Sequence, residues 1–457
     1  MRPCSVALAA CVCLGFAMHA PIAKAQNWAP LNFPANIIDW GNLYLDTTTN
    51  DLYASGINQV ISGHAGLFRR NGAGWDTIGY FGGSPYVSRA LHYHDTLIVG
   101  GGFYMAGEDT IRACAYYDGS AWHPYGEFEQ DALIWNLRVL DGELYSVGSF
   151  EYVDGQPADG IAKRVGGHWE PVGDFGEVSF PYLFDVIKYD GKLVACGNMD
   201  IVGESYYDVF IFENGEWGPL GGGLFGTFSG GWVMTIYNGE LILGGSFYLS
   251  AGNAGQCIMR WNGSIWQPLG VGTTDNGDDY SSAPNIHALT VYQGKLFVGG
   301  GFSYAGHVPA QGIAVWDGDV WCGLGSSLGL VHDIVFYNDT LLVMHGNWPV
   351  DGQTTTGGVR YLHTTYDDTC SASTLAVPEL HPPSATVHAM GGPLLVNGLA
   401  NGSTDYSIVD LTGRSIQRGT LNCNGGQCQP IATSGIAEGT YLLQLPDHAA
   451  IRFVVRE

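Results

Sequence analysis

Trp28-Ala29-Pro30-Leu31 opens a pattern that the chain repeats as far as residue 325. The later copies are Trp75-Asp76-Thr77-Ile78-Gly79, Trp122-His123-Pro124-Tyr125-Gly126, Trp169-Glu170-Pro171-Val172-Gly173, Trp217-Gly218-Pro219-Leu220-Gly221, Trp266-Gln267-Pro268-Leu269-Gly270 and Trp321-Cys322-Gly323-Leu324-Gly325. From Trp75 on, successive tryptophans stand 47, 47, 48, 49 and 55 residues apart, and Trp28 lies 47 before Trp75. A period of that size fits one four-stranded sheet per repeat and is too long for most helical repeats.

A second marker is a tight turn leading into an apolar strand. It appears as Asn50-Asp51-Leu52, His94-Asp95-Thr96-Leu97, Asp141-Gly142-Glu143-Leu144, Asp190-Gly191-Lys192-Leu193, Asn238-Gly239-Glu240-Leu241, Gln293-Gly294-Lys295-Leu296 and Asn338-Asp339-Thr340-Leu341, seven copies in all. Asp-Gly and Asn-Gly between apolar alternations are hairpin signals, because both central residues must accept positive φ. The sixth unit then reads as strands over 287–292, 295–299, 312–316 and 320–325. Six tryptophan strands follow the seven turns, and the seventh unit stops at Gly358-Val359-Arg360-Tyr361-Leu362. The strand it lacks is 28–31, at the other end of the chain. Pairing the two closes a ring and removes an exposed sheet edge. The predicted fold is all-β: a seven-bladed β-propeller over 26–365 whose N-terminal strand completes the last blade. Strand ends such as Gly100-Gly101, Gly244-Gly245 and Gly299-Gly300, with an aromatic in the third strand and Trp opening the fourth, resemble kelch and galactose-oxidase-like propellers. That resemblance implies architecture more than activity, since such rings serve both as enzymes and as binding platforms.

Composition agrees, with 68 Gly, 12% aromatic and only 13% charged residues. Residues 1–25 read as a secretory leader: Arg2, an apolar run over 6–20 and the small-x-small site Ala23-Lys24-Ala25. Beyond it no apolar run reaches the ~20 residues that span a bilayer. Losing Arg2 and Lys24 takes the formal net charge from −25 to about −27, a balance that repels nucleic acid and anionic lipid. Cys423 and Cys428 flank a short turn and are a disulfide candidate for an exported chain. Cys114, Cys196 and Cys257 fall within strand patterns as small core residues. No cofactor is expected. Asp275, Asp278 and Asp279 are the nearest approach to a calcium loop, without the alternating spacing such loops use.

Residues 366–388, rich in Ser, Thr, Ala and Pro, read as a linker, and 389–457 as a small β-sandwich. The latter resembles the C-terminal sorting domain of the type IX secretion system of Gram-negative bacteria, through Val409-Asp410-Leu411-Thr412-Gly413-Arg414, Ile436-Ala437-Glu438-Gly439-Thr440-Tyr441-Leu442-Leu443 and a last strand at the carboxyl end. Thr440, where an aliphatic residue is more usual, and the cysteine-flanked loop over 422–429 depart from that pattern. The resemblance implies that Asp410, Gly413, Arg414, Gly439 and Tyr441 form a sorting motif. Outer-membrane secretion machinery would read it, and the chain would pass through the periplasm to a secreted or cell-surface location. The bland alternative is an immunoglobulin-like accessory domain.

Propellers place their sites where the first strands of the blades converge. Aligning the units on the second-strand Leu puts Leu43, Ser88, Trp135, Phe184, Trp232, His287 and His332 on one ring. The next position holds Tyr44, Arg89, Asn136, Asp185, Val233, Ala288 and Asp333. Loop aromatics including Phe81, Tyr86, Phe128 and Tyr182 are expected on the same face. The candidates are therefore Trp135, Phe184, Trp232, His287, His332, Arg89, Asp185 and Asp333. Flat rings beside polar groups suit a sugar, and the same rings suit a plugged channel. His287 and His332 with Asp333 or Asp185 are the only metal combination the alignment offers, and no metal is expected. Signatures of serine hydrolases, P-loop enzymes, sialidase-type propellers and the galactose-oxidase copper site are absent. Three readings stay open: a binding protein for glycan or protein ligands, a polysaccharide-active hydrolase or lyase using Asp185 and Asp333, and a structural extracellular component.

Overall fold

A computed structural model describes residues between 27 and 455, apart from internal stretches of which 202–207, 276–283 and 371–385 are the longest. The expected leader, and Asp278, Asp279 and Gly413, lie outside the described residues. Within them the chain is all-β. Its helical content is two 3-10 turns, Leu220–Gly222 and Leu249–Ala251, and no helix is long and apolar enough to cross a membrane.

Seven sheets among the described residues contain a four-strand antiparallel meander. Their first strands are Leu43–Asp46, Tyr86–Tyr93, Leu133–Leu140, Leu183–Tyr189, Gly230–Tyr237, Asn285–Tyr292 and Val331–Tyr337. Each packs against the next in chain order, and Val331–Tyr337 packs back on Leu43–Asp46. Hairpins such as Asp141-Gly142 and Asn238-Gly239 have positive φ at both central residues, the geometry whose twist matches that of paired strands. In the last sheet Trp28–Pro30 pairs with Gly358–Tyr361, Trp28 opposite Tyr361. The Asp351 carboxylate accepts from the Asn27 and Trp28 amides at 2.6 and 3.0 Å, and the Trp28 ring lies 4.8 Å from that of Tyr361.

The tryptophan repeat has a direct physical cause. Five of the seven marker indoles reach back to the marker of the preceding sheet and donate to the carbonyl three residues after that sheet's own tryptophan. Trp75 bonds Leu31, Trp122 bonds Ile78, Trp169 bonds Tyr125, Trp217 bonds Val172 and Trp266 bonds Leu220, at 2.6–3.3 Å. The glycine that follows is the floor on which the same indole rests: a Cβ on Gly126 would come within 2.4 Å of Trp169. Trp321, after the longest interval, leaves its indole N–H without a hydrogen-bond partner.

Tyr366 is buried against Phe297, Phe336 and Tyr361, and Thr369–Cys370 add a strand to the sixth sheet outside Trp321–Gly323. Cys322 is disulfide-bonded. Residues 386–455 form one seven-stranded antiparallel sheet. Its two edges, Thr386–Ala389 and Ile451–Val455, pack together around a core that includes Leu394, Ile408 and Leu443. Cys423 and Cys428 are joined by a disulfide, while Cys114, Cys196 and Cys257 are buried thiols.

Candidate functional site

The first strand of six of the seven sheets is interrupted by a β-bulge at the same place. The register shifts between Val87 and Arg89, Ile134 and Asn136, Leu183 and Asp185, Gly231 and Val233, Ile286 and Ala288, and Val331 and Asp333. A bulge inserts one residue and re-aims its neighbours. Core side chains then fall three apart rather than two, as with Ile134 and Leu137 or Leu183 and Val186, all fully buried. The two residues between them leave the core side. The second strand must come close to admit the bulge: a Cβ on Gly148 would lie 2.1 Å from the Leu133 carbonyl oxygen.

The inserted residues of five sheets, with Tyr86 from the strand of a sixth, build a continuous arc of rings. Tyr86 meets Trp135 at 5.6 Å, Trp135 meets Phe184 at 5.3 Å, Phe184 meets Trp232 at 6.4 Å, Trp232 meets His287 at 4.7 Å, and His287 meets His332 at 5.6 Å between centroids. All six are half-buried, so their faces are shared between neighbours and solvent. The arc stops at the first sheet, where no bulge occurs and Leu43 is fully buried. Burial, with His332 beside it, pushes the pKa of His287 down to about 3, which keeps the ring neutral. Of the expected loop aromatics, Phe81 and Phe128 are buried in the core instead, packed against Trp122 and Trp169, and Tyr182 is exposed.

The second position of each bulge is mostly committed to joining sheets. Asp185 is fully buried. It accepts from Asn136 Nδ2 at 2.9 Å, from Arg138 Nε and Nη2 at 2.9 and 2.7 Å, and from the amides of Val186 and Met234 at 2.9 Å. Every direction in which a carboxylate accepts is filled, so Asp185 is a clamp between sheets, not a free ligand or acid–base group. Asp333 also ties sheets together at the ring's closure, with one amide on each oxygen: Leu43 at 2.9 Å and Ile334 at 2.8 Å. Burial raises its pKa to about 6, against the pull of Arg89. Ser88 donates to the Ile134 carbonyl at 2.6 Å, Tyr44 to Val87 at 2.7 Å and Thr290 to Ile334 at 2.8 Å. Sequence reasoning missed Arg138, whose role depends on a partner 47 residues away. The apolar-x-x-apolar spacing at each bulge was the available signal for the paired positions.

Among the described residues no group of three His, Cys, Asp or Glu is arranged to hold a metal ion. In the C-terminal sheet, Asp410 ties down its turn by accepting from the Arg414 amide at 2.9 Å and from Arg414 Nε at 3.0 Å. Tyr441 is buried and donates to the Ala437 carbonyl at 2.8 Å, and Gly439 begins the strand Gly439–Gln444.

No family model and no curated protein matches the chain. Solved structures similar to it include one titled as the crystal structure of a mitotic checkpoint complex, at TM-score 0.44 and 14% identity, covering 78% of this chain and 100% of that one. Saccharomyces cerevisiae Sqt1 aligns at 0.42 and 11%, covering 89% and 99% of the two chains. Trypanosoma rangeli sialidase in complex with sialic acid aligns at 0.35 and 9%, covering 94% and 86%. These neighbours are β-propeller-like in fold and, at such scores, carry no reading of activity.

Proposed function

We propose that the seven sheets are the blades of one closed propeller and that its mouth binds a saccharide. The chain would be an exported binding protein, with 389–457 as the sorting domain that takes it to the cell surface or beyond. The observation that carries the binding reading is the arc from Tyr86 to His332: six half-open rings, one from each of six adjacent sheets. Aromatic faces of this kind stack on the C–H faces of sugar rings. Against the hydrolase reading, which needs a pair of carboxylates, stands Asp185, whose acceptor directions are all taken by Asn136, Arg138 and two backbone amides. Against a purely structural ring stands the partial exposure of every ring in the arc.

A glycan array probed with the full chain tests the binding reading. The expected result is retention of a saccharide, lost at least tenfold in Trp232→Ala with folding unchanged, and no release of shorter products. Retention of protein ligands alone, or product release, would contradict it. For the export reading, deleting 389–457 should hold the chain in the periplasm; normal appearance at the surface would remove that role.

A further inference from the structure

Four charged side chains meet at the mouth, and three are used by the fold: Arg138 with Asp185, and Asp333 with two amides. Arg89 is not. It directly follows the bulged Ser88, whose hydroxyl donates to the carbonyl of Ile134, the residue before Trp135 on the neighbouring strand. Its guanidinium carbon stands 5.7 Å from the centre of the Tyr44 ring, while Nε is buried without a hydrogen-bond partner. The indole N–H of Trp135 is buried and unpartnered too. Arg89 feels the charges of Arg138, Asp333 and Asp185, which come from three other sheets, so it sits where the first strands converge. Burial, then Arg138, lower its pKa, yet a guanidinium stays charged.

Buried donors left unmatched are costly, charged ones most of all. Two of them on neighbouring first strands of the ring, at a half-open mouth lined with rings, leave that mouth short of an acceptor. We propose, building on the saccharide reading, that this mouth takes the anionic end of a glycan: a terminal sugar whose carboxylate or sulfate accepts from Arg89 and Trp135 while the sugar lies on the arc. A chain end fits better than a polyanion laid across the surface, because the formal net charge of −25 opposes the latter.

Calorimetric titration of the full chain tests this with three trisaccharides that share a neutral disaccharide and end in glucuronate, 6-sulfoglucose or glucose, plus a triglutamate peptide. An anionic end should tighten binding by about 10- to 100-fold over glucose, the range for a hydrogen bond to a charged group. Whichever anion is preferred identifies the group. Arg89→Met, which keeps the length of the side chain, should erase that preference while circular dichroism shows the chain still folded. Arg89→Lys should keep part of it, and Trp232→Ala should weaken all three sugars alike. Equal binding of the three sugars by the wild type, or a preference surviving in Arg89→Met, would overturn the anionic site and leave the saccharide reading standing. Triglutamate binding as tightly as the acidic sugar would overturn the glycan as ligand. Absence of binding by every sugar would overturn both.

Discussion

His287 shows how one ring reports on the mouth. It lies against Trp232 and His332, and its pKa is lowered to about 3 chiefly by burial. In the unfolded chain an imidazole takes up its proton near pH 6.5. Between those values the unfolded state binds more protons, so this group's contribution is complete above pH 6.5 and is lost as pH falls toward 3. His287→Phe keeps a ring in the arc and removes the titration. Its melting temperature should exceed the wild type's by about 2 °C at pH 5 and match it at pH 8. An offset equal at both pH values would show that His287 is not held neutral. Asp185 and Asp333 illustrate what single residues hide. Their position on the ring was legible from the repeat, but an acid in a strand does not disclose whether its oxygens are free. Asp185 is filled by donors from three sheets, and only the three-dimensional register brings those donors together.

At the scale of the strand, the repeat was readable because its residues act on each other across sheets. Trp169 bonds the Tyr125 carbonyl and rests on Gly126, so the Trp and the Gly recur together. Gly126 has φ +122°, and a Cβ there would meet Trp169 at 2.4 Å. Gly126→Ala should therefore cost about 2–3 kcal/mol in chemical denaturation through overpacking and backbone strain. Gly142, at φ +83° with open space around it, should lose only about 1 kcal/mol as Ala, the left-handed penalty alone. Equal losses at the two sites would mean that the indole does not rest on the glycine. The bulges were harder to read. Alternation predicts opposite faces for Trp135 and Asn136, and the inserted residue breaks that parity, so both positions had to be kept as candidates. In the C-terminal sheet the strands ending at Asp410, Gln444 and Val455 followed the expected segments, whereas Ser415–Asn424, polar along most of its length, gave no apolar alternation to find.

For the whole molecule, closure and binding depend on one another. The Asp333 bond to Leu43 and the pairing of Trp28–Pro30 with Gly358–Tyr361 join the last sheet to the first. That junction fixes the spacing of the six rings. The central claim is that ligand meets the chain at this mouth. Hydroxyl-radical footprinting of the full chain, with and without the saccharide it retains, tests it most directly. Protection confined to Trp135, Phe184, Trp232 and their ring neighbours is the predicted result. Unchanged labelling at these residues, with protection on the C-terminal sheet around Tyr406 and Arg418, would contradict it.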